Sequence, residues 1–354
     1  MTRRESHLHG LLIVDKPGLQ ELLGQAGQAL PADLPRSASD QLSEEEMPRL
    51  YTSHDVVQRV RRWSGQRRIG HTGTLDPMAS GVLVLCLGQA TRLVEYYQGH
   101  DKTYYAEVKL GAATDTYDAV GQVVETAAVP SLTNTQIEHA LARFRGDILQ
   151  QPPVYSALKQ GGESLHRKAR RGETVTVAPR PVTIHSLELL DFQAPDRLCL
   201  RVICSAGTYI RSLAHDLGRA LNSCAHLTLL RREAAGFFTL ADSQPLGAIE
   251  AAAQADTFEH LLLPAGTHLA MPELLVDAEV AKVLGQGQKV YLPASTKPVS
   301  VQAGETPAAL AKIVTNDARF LGIGRCLKQN KLSSEHHAGE TLWKAEKWLA
   351  NPTP

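Results

Sequence analysis

The segment that most constrains this fold runs from Gly70 to Gly81. Three glycines and a proline within twelve residues exclude a regular helix or strand there. The apolar run Val82–Leu87 that follows is typical of a buried strand. We therefore predict an irregular loop that can hold one polar side chain at the floor of a cleft. Asp76 is the only acidic residue in this loop.

Asp76 precedes Pro77, which restricts it to an extended or turn conformation. Its carboxylate could cap an Asx turn or could be catalytic. Arg211 favours the catalytic alternative. It comes near the start of a predicted helix, where the positive end of the helix dipole disfavours a cation, and a carboxylate is therefore its natural partner. Tyr104 and Tyr105 begin an alternating segment, so we expect one in the core and the other free to line a cleft.

The composition is that of an ordinary globular protein. The chain has 354 residues, which suggests about two domains, and 43% of them are hydrophobic. Lys+Arg and Asp+Glu both number 37, which excludes a histone-like protein but not a local nucleic-acid-binding face. The five cysteines form no CxxC pair, and no apolar run approaches the ~18 residues of a membrane span. We expect a cytoplasmic protein with buried thiols at Cys86, Cys199 and Cys204.

Predicted strands and helices follow one another without a regular βαβ alternation. This indicates an α+β fold with a mostly antiparallel sheet. Strands are predicted over Gly10–Val14, Val82–Leu87, Asp101–Leu110, Thr116–Glu125 (as the partner of Asp101–Leu110), Val182–Phe192 and Leu198–Cys204. Helices are predicted after caps at Thr52 or Ser53 and at Thr133, over Thr91–Tyr97 and Tyr209–Leu221, and as a short basic helix over Glu163–Arg171.

A proline-bounded linker, Pro264–Pro272, predicts a domain boundary. We assign residues 1–265 to a larger domain and residues 270–350 to a small β-rich domain.

Motifs for other functions are weak. His71, Asp76 and Ser80 could be drawn as a hydrolase triad, but no nucleophile elbow is present.

Basic residues are concentrated in two places, although the chain as a whole is neutral. One cluster spans Arg59–Arg68, and the other comprises Arg167, Lys168, Arg170 and Arg171. Both are nearly free of acidic residues, which favours a groove for a polyanion.

Five motifs occur in a characteristic order: Leu12–Pro17 (LIVDKP), Thr52–Val57 (TSHDVV), Arg68–Pro77 (RIGHTGTLDP), Gly207–Arg211 (GTYIR) and Ala225–Arg232 (AHLTLLRR). Together they resemble the TruB family of tRNA pseudouridine synthases. The resemblance covers most of residues 10–238 and is most specific around Asp76. It implies a pseudouridine synthase fold, and the C-terminal stretch is similar to the family's PUA-like RNA-binding domain.

The resemblance implies roles for three catalytic residues. Asp76 matches the essential aspartate, and Arg211 matches the arginine that pairs with it. Tyr104 matches the tyrosine that stacks on the target base and helps remove the C5 proton.

The resemblance also implies a set of substrate-binding residues. Tyr209 and Leu230 match residues that line the uracil pocket, and His71 matches a histidine that helps flip the nucleotide. Lys16, with Pro17, matches a pair near the site, and we group it with these residues. An RNA-binding loop is implied around Arg167, Lys168, Arg170 and Arg171.

The implied reaction detaches uracil from C1′ of ribose and rejoins it through C5. It involves no redox step, so we expect no cofactor and no metal. Asp76 could attack C1′ as a nucleophile or remove a proton at C2′, and the sequence leaves both routes open. The expected substrate is the T arm of tRNA, with uridine 55 as the target. We expect a monomer that uses no guide RNA.

The chain departs from the family pattern between Lys16-Pro17 and Thr52-Ser53. Residues 18–51 form an insertion of about thirty residues, longer than ordinary connections, and we expect an exposed addition. Two alternatives stay open: a non-catalytic RNA-binding or tRNA-folding protein, and a guide-dependent synthase. The bacterial-style segment Phe144–Val175 and the lack of long basic tails speak against the guide-dependent type.

Overall fold

The computed structural model describes residues 7–20, 22, 49–156, 159–160, 163–164, 171, 177–293, 310–329 and 340–349. These residues form nineteen strands: β1 (Gly10–Lys16), β2 (Ile69–His71), β3 (Ser80–Leu87), β4 (Lys102–Leu110), β5 (Ala112–Thr114), β6 (Val123–Thr126), β7 (Gly146–Gln150), β8 (Lys159–Gln160), β9 (Glu163–Ser164), β10 (Arg180–Gln193), β11 (Arg197–Cys204), β12 (Ala225–Ala235), β13 (Phe238–Thr239), β14 (Gln244–Pro245), β15 (Glu273–Val276), β16 (Lys289–Pro293), β17 (Leu310–Thr315), β18 (Phe320–Gln329) and β19 (Glu340–Trp348). The helices are α1 (Ser53–Ser64), α2 (Val94–Gln98), α3 (Asn134–Ala142), α4 (Ile210–Ala220), α5 (Leu246–Gln254) and α6 (Ala278–Gly285), with 3₁₀ turns at Gly88–Leu93, Leu240–Asp242 and Phe258–Leu261.

A ten-stranded sheet forms the larger part of the fold. Its order is β14-β1-β3-β12-β4-β11-β10-β7, with β2 paired to β3 and β13 paired to β12. The pairs are antiparallel except β1–β14 and β3–β12. The predicted α+β class with a mostly antiparallel sheet is therefore confirmed.

Both faces of the large sheet are covered. Along β1, Leu12 and Val14 pack into one core, whereas Leu11 and Ile13 pack into the other. This alternation follows from the period of two in a strand. The first core includes residues of α1 and α4, and the second includes Ile323 of β18, so the C-terminal strands cover that face.

A five-stranded sheet, with the order β15-β17-β18-β19-β16, forms the predicted β-rich C-terminal part. The sequence predicts short strands at Lys289–Leu292, Ala311–Val314 and Phe320–Arg325, and these are present within β16, β17 and β18. The structure adds β15, β19 and α6, and Trp343 of β19 is buried in the core of this sheet. The boundaries at residues 265 and 270 stay predictions.

Helix caps confirm the local predictions. Thr52 is the N-cap of α1 and Thr133 the N-cap of α3, each with a reciprocal capping box. Thr52 places Ser53 at the start of α1, where the serine side chain points to the Asp76 loop.

The prediction that Thr116–Glu125 pairs with Asp101–Leu110 is wrong. β4 pairs with β11 and β12, and only Val123–Thr126 forms a strand, β6, which pairs with β5. The side chains of Asp115 and Asp118 accept hydrogen bonds from nearby backbone N–H groups, which stabilises turns in place of a ladder.

The predicted basic helix does not begin at Glu163, because Glu163–Ser164 forms β9 and pairs with β8. Arg167, Lys168 and Arg170 lie outside the described residues. Arg171 lies in an exposed turn.

The start of the insertion is more integral than expected. Leu19 is 2% exposed and packs against Met78, and its backbone N–H donates to the carbonyl oxygen of Met78 at 3.0 Å. The insertion is therefore tied at this end to the loop that carries Asp76. Most of its remaining residues, 21 and 23–48, lie outside the described residues.

Candidate active site

A buried lysine holds one side of the Asp76 loop. The ammonium of Lys16, at the end of β1, donates hydrogen bonds to the carbonyl oxygens of Pro77 (3.1 Å) and Ala79 (2.6 Å). Its side chain has no exposed surface. The structure thus gives Lys16 a supporting position beneath the loop, and not the exposed position of a group that contacts substrate directly.

Arg232 holds the other side of the loop, and sequence reasoning missed it. Its guanidinium is buried and donates to the carbonyl oxygens of Gly73 (3.1 Å), Thr74 (3.4 Å) and Val82 (2.6 Å). A signal was available: Arg231 and Arg232 are adjacent in a strand, so one of them must point into the protein.

Two further contacts fix the loop. The backbone N–H of Leu75 donates to the hydroxyl of Ser53 at 2.9 Å. At the loop's exit Gly81 has φ 103°, and a Cβ there would lie 2.2 Å from the carbonyl oxygen of Arg232. Only glycine permits this approach. The loop is therefore anchored to β1, α1 and β12 at once.

Asp76 and Arg211 form a bidentate ion pair at the centre of this arrangement. Arg211 Nε donates to Asp76 Oδ2 at 2.9 Å, and Nη2 donates to Oδ1 at 2.8 Å. The side chain of Arg211 is 5% exposed and that of Asp76 is 28% exposed. The carboxylate is thus the accessible member of the pair, and the fork of the guanidinium fixes its orientation.

A second carboxylate, that of Asp118, is buried beside the same guanidinium and was also missed. Its Oδ2 atom lies 3.7 Å from Arg211 Nη1, which donates to the carbonyl oxygen of Thr116 at 3.0 Å. Burial raises the pKa of Asp118 to about 6, although Arg211 and a hydrogen bond from Thr116 act in the opposite direction. A strand was predicted from the sequence over Thr116–Glu125, and for that reason Asp118 was not considered as a site residue.

Tyr104 lies on β4 close to the ion pair. Its residue surface is 9% exposed, and burial raises the pKa of its phenol, with Arg232 acting against the shift and Asp76 adding to it. The phenol is therefore protonated at neutral pH. The predicted alternation is confirmed, because Tyr105 is partly exposed and donates to Glu107 at 3.1 Å.

Tyr209 and Leu230 flank the same region. Tyr209 is the N-cap residue of α4, and the side chain of Gln150 pins its backbone with hydrogen bonds of 2.7 and 3.0 Å. Burial raises the pKa of the Tyr209 phenol, and the charge of Asp76 adds to the shift. Leu230 of β12 is 5% exposed and belongs to the adjoining core.

His71 lies on β2, immediately before the Asp76 loop. Burial lowers the pKa of its imidazole, and Arg232 and His54 lower it further, so the ring is neutral at pH 7. Within the described part of the chain, its buried Nδ1 atom has no hydrogen-bond partner.

Among the described residues, no group of three His, Cys, Asp or Glu side chains could hold a metal ion. In the same part of the chain, no helix is long and apolar enough to cross a membrane. Cys86, Cys199 and Cys204 are buried free thiols, as predicted.

Known proteins are similar to this chain over most of its length. The family model "TruB family pseudouridylate synthase (N terminal domain)" matches residues 61–210, and "Pseudouridine synthase II TruB, C-terminal" matches residues 272–335. The "tRNA pseudouridine synthase B" of Haemophilus influenzae is 44% identical over 247 residues, which cover 69% of this chain and 78% of the relative. The chain belongs to the TruB family.

Other TruB relatives extend the match. The "tRNA pseudouridine synthase B" of Symbiobacterium thermophilum is 49% identical over 232 residues, covering 65% of this chain and 76% of the relative. The "tRNA pseudouridine synthase B" of Aromatoleum aromaticum is 43% identical over 287 residues, which cover 81% of this chain and 88% of the relative. A solved H/ACA RNP bound to a substrate RNA containing 2'-deoxyuridine includes a chain that aligns with a TM-score of 0.65 at 21% identity, covering 97% of this chain and 86% of that one. The expected pseudouridine synthase fold is confirmed.

Proposed function

We propose that this TruB-family enzyme isomerises uridine 55 in the T loop of tRNA to pseudouridine, with Asp76 as the catalytic carboxylate. The observation that carries the proposal is the bidentate Arg211–Asp76 pair, in which the carboxylate remains accessible. TruB relatives named tRNA pseudouridine synthase B supply the substrate class. We further propose a monomer that acts in the cytoplasm and needs no guide RNA.

The reaction breaks the bond from N1 to C1′ and forms a bond from C5 to C1′, while the C5 proton leaves and N1 gains a proton. Asp76 starts it by attack at C1′ or by removal of a C2′ proton. Arg211 aims the carboxylate. Because both ends of the loop are anchored, the carboxylate loses little freedom when substrate binds.

The remaining residues act on the flipped nucleotide. Tyr104 offers an aromatic face on which the base can stack and a hydroxyl that helps remove the C5 proton. Tyr209 and Leu230 enclose the uracil, and neutral His71 assists flipping. Lys16 acts through the loop that it supports.

Unmodified tRNA transcript, incubated with the purified enzyme and no guide RNA, tests this function. Mapping should locate pseudouridine at position 55 alone. Asp76→Asn keeps the size and hydrogen bonding of the side chain, so it should bind tRNA within a few fold of wild type and form no product. Normal turnover by this variant would contradict the role of Asp76. Tight binding without product from the wild type would favour a tRNA-folding protein, and a requirement for guide RNA would favour the guide-dependent alternative.

A further inference from the structure

One exposed aromatic side chain has no role in the core or in the active site. β12 continues beyond Leu230 and turns through Gly236 and Phe237 into β13, so that Ala235 pairs with Phe238. Phe238 is 1% exposed and belongs to the core, whereas Phe237 is 61% exposed. Tips of two-residue hairpins favour glycine, asparagine or aspartate. The fold therefore explains Phe238 but not Phe237.

The hairpin tip has a defined conformation. Gly236 has φ 62°, and its N–H donates to the carbonyl oxygen of Asp101 at 2.8 Å. A Cβ at Gly236 would lie 2.4 Å from the ring of His100. Only glycine allows this approach, so the tip is seated against the turn before β4.

Two imidazoles hold the ring of Phe237. His100 meets it edge to face with centroids 6.3 Å apart, and His268 lies against it at 5.6 Å with an interplanar angle of 34°. These imidazoles are themselves packed, His100 against Tyr97 and His268 against Phe238. The phenyl ring is thus restrained before any ligand binds, which lowers the entropy lost on binding.

The tip lies a few residues beyond the part of β12 that contributes to the active site. Phe237 follows Arg232 by five residues, and Ala235 is paired with Lys102, two residues before Tyr104. Five residues of extended chain span at most ~17 Å. A strand of RNA covers that distance with about five stacked nucleotides.

We propose that Phe237 is a stacking platform for an unpaired base of the RNA substrate, outside the catalytic pocket. This inference rests on the proposed function. One restrained ring flanked by imidazoles matches the area of a single base and is too small for a protein interface.

The test separates an aromatic face from apolar bulk. Phe237→Leu keeps the bulk and removes the face, whereas Phe237→Tyr keeps both. For unmodified tRNA transcript we expect Phe237→Leu to raise Kd and KM about 5-fold or more, with kcat within about twofold. Phe237→Tyr should match wild type. Leu190→Ala truncates another exposed apolar side chain, on β10, which lies three strands from β12 in the sheet, and should leave Kd unchanged.

An unchanged Kd for Phe237→Leu, with a wild type that modifies tRNA, overturns this inference and leaves the proposed function standing. A wild type without pseudouridine overturns the proposed function, and the binding comparison still decides the role of Phe237. A photoreactive phenylalanine analogue at position 237 in the Asp76→Asn protein gives a second measurement. A cross-link to a nucleotide other than the target uridine supports the platform, and the absence of any RNA cross-link contradicts it.

Discussion

Asp118 Oδ2 lies 3.7 Å from Nη1 of Arg211, the same guanidinium that binds Asp76 through two hydrogen bonds. One arginine therefore joins an accessible carboxylate to a buried one, with side chains that are 28% and 4% exposed. Because the side chain of Asp118 is only 4% exposed, it is not open to a substrate in the cleft. We therefore expect Asp118 to influence the reaction mainly by positioning Arg211.

We expect Asp118→Asn to lower turnover about 10- to 100-fold with little change in tRNA affinity, because Arg211 is held less firmly and Asp76 is misplaced. The fold should tolerate the change. Thr116 and Val120 donate to Asp118 Oδ1 at 2.6 and 3.2 Å, and an asparagine oxygen can accept both bonds. Single-turnover rates and Kd separate the two effects. Asp115→Asn, in the same turn but exposed, is the matched control and should behave as wild type.

Stability should depend on pH through the same group. Burial raises the pKa of Asp118 from 3.8 to about 6, so ionisation opposes folding. Its stabilising contribution is fully present below about pH 4 and is lost as pH rises through about 6. Relative to Asp118→Asn, the wild type should lose up to about 3 kcal/mol of unfolding free energy between pH 4 and pH 7. Urea denaturation at several pH values measures this difference, and parallel curves for the two proteins would contradict it.

Tyr104→Phe should retain stacking and lose only the hydroxyl. If that hydroxyl helps to remove the C5 proton, the variant should stall after the glycosidic bond breaks and should bind tRNA as tightly as wild type. Rapid-quench analysis of the RNA would detect the trapped species. A variant as fast as wild type would show that the hydroxyl takes no part in the chemistry.

The insertion should be removable only in part. Replacing residues 23–48 with a short glycine-containing turn should preserve folding and turnover, because polar, acid-rich sequence contributes little to a core. Extending the deletion to Leu19 removes a side chain that packs on Met78, and should cost about 2 kcal/mol or more of stability and slow the reaction. Urea denaturation and turnover, measured for both deletion variants, test where the removable part of the insertion begins. Equal behaviour would show that the contact of Leu19 is dispensable.

Local signals in the sequence were sufficient for much of this fold. Apolar runs predicted β3 and β11, and threonine caps predicted α1 and α3. The contacts of Arg232 with the Asp76 loop and of Asp118 with Arg211 could not be found in this way, because they join distant parts of the chain: Arg232 contacts Gly73 across 159 positions. β19 was missed because lysine and glutamate interrupt its apolar residues, as suits a strand with one exposed face. The site residues that lie in recognisable sequence motifs, such as Asp76 and Arg211, could be predicted. The residues that support them, Arg232 and Asp118, could not, because their positions depend on tertiary contacts.

The basic segment offers a test that separates affinity from chemistry. Arg167, Lys168 and Arg170 lie outside the described residues, and Arg171 lies in an exposed turn, so their role stays a prediction. Phosphate contacts act through charge and carry little base information. Neutralising all four should weaken tRNA binding and flatten the dependence of log Kd on log salt by up to about 0.9 per lost contact, while turnover at saturating tRNA changes much less.

Arg143→Gln neutralises an exposed arginine next to α3 and serves as the control, for which the slope should not change. Binding measured across a salt series shows whether the basic segment contacts phosphates. If the segment is merely solvated, neutralising it would lower affinity little and leave the slope of log Kd against log salt unchanged. A slope unchanged in the quadruple variant would mean that these side chains do not touch the RNA backbone. A lower slope combined with a large loss of turnover at saturation would instead place the segment in the chemical step.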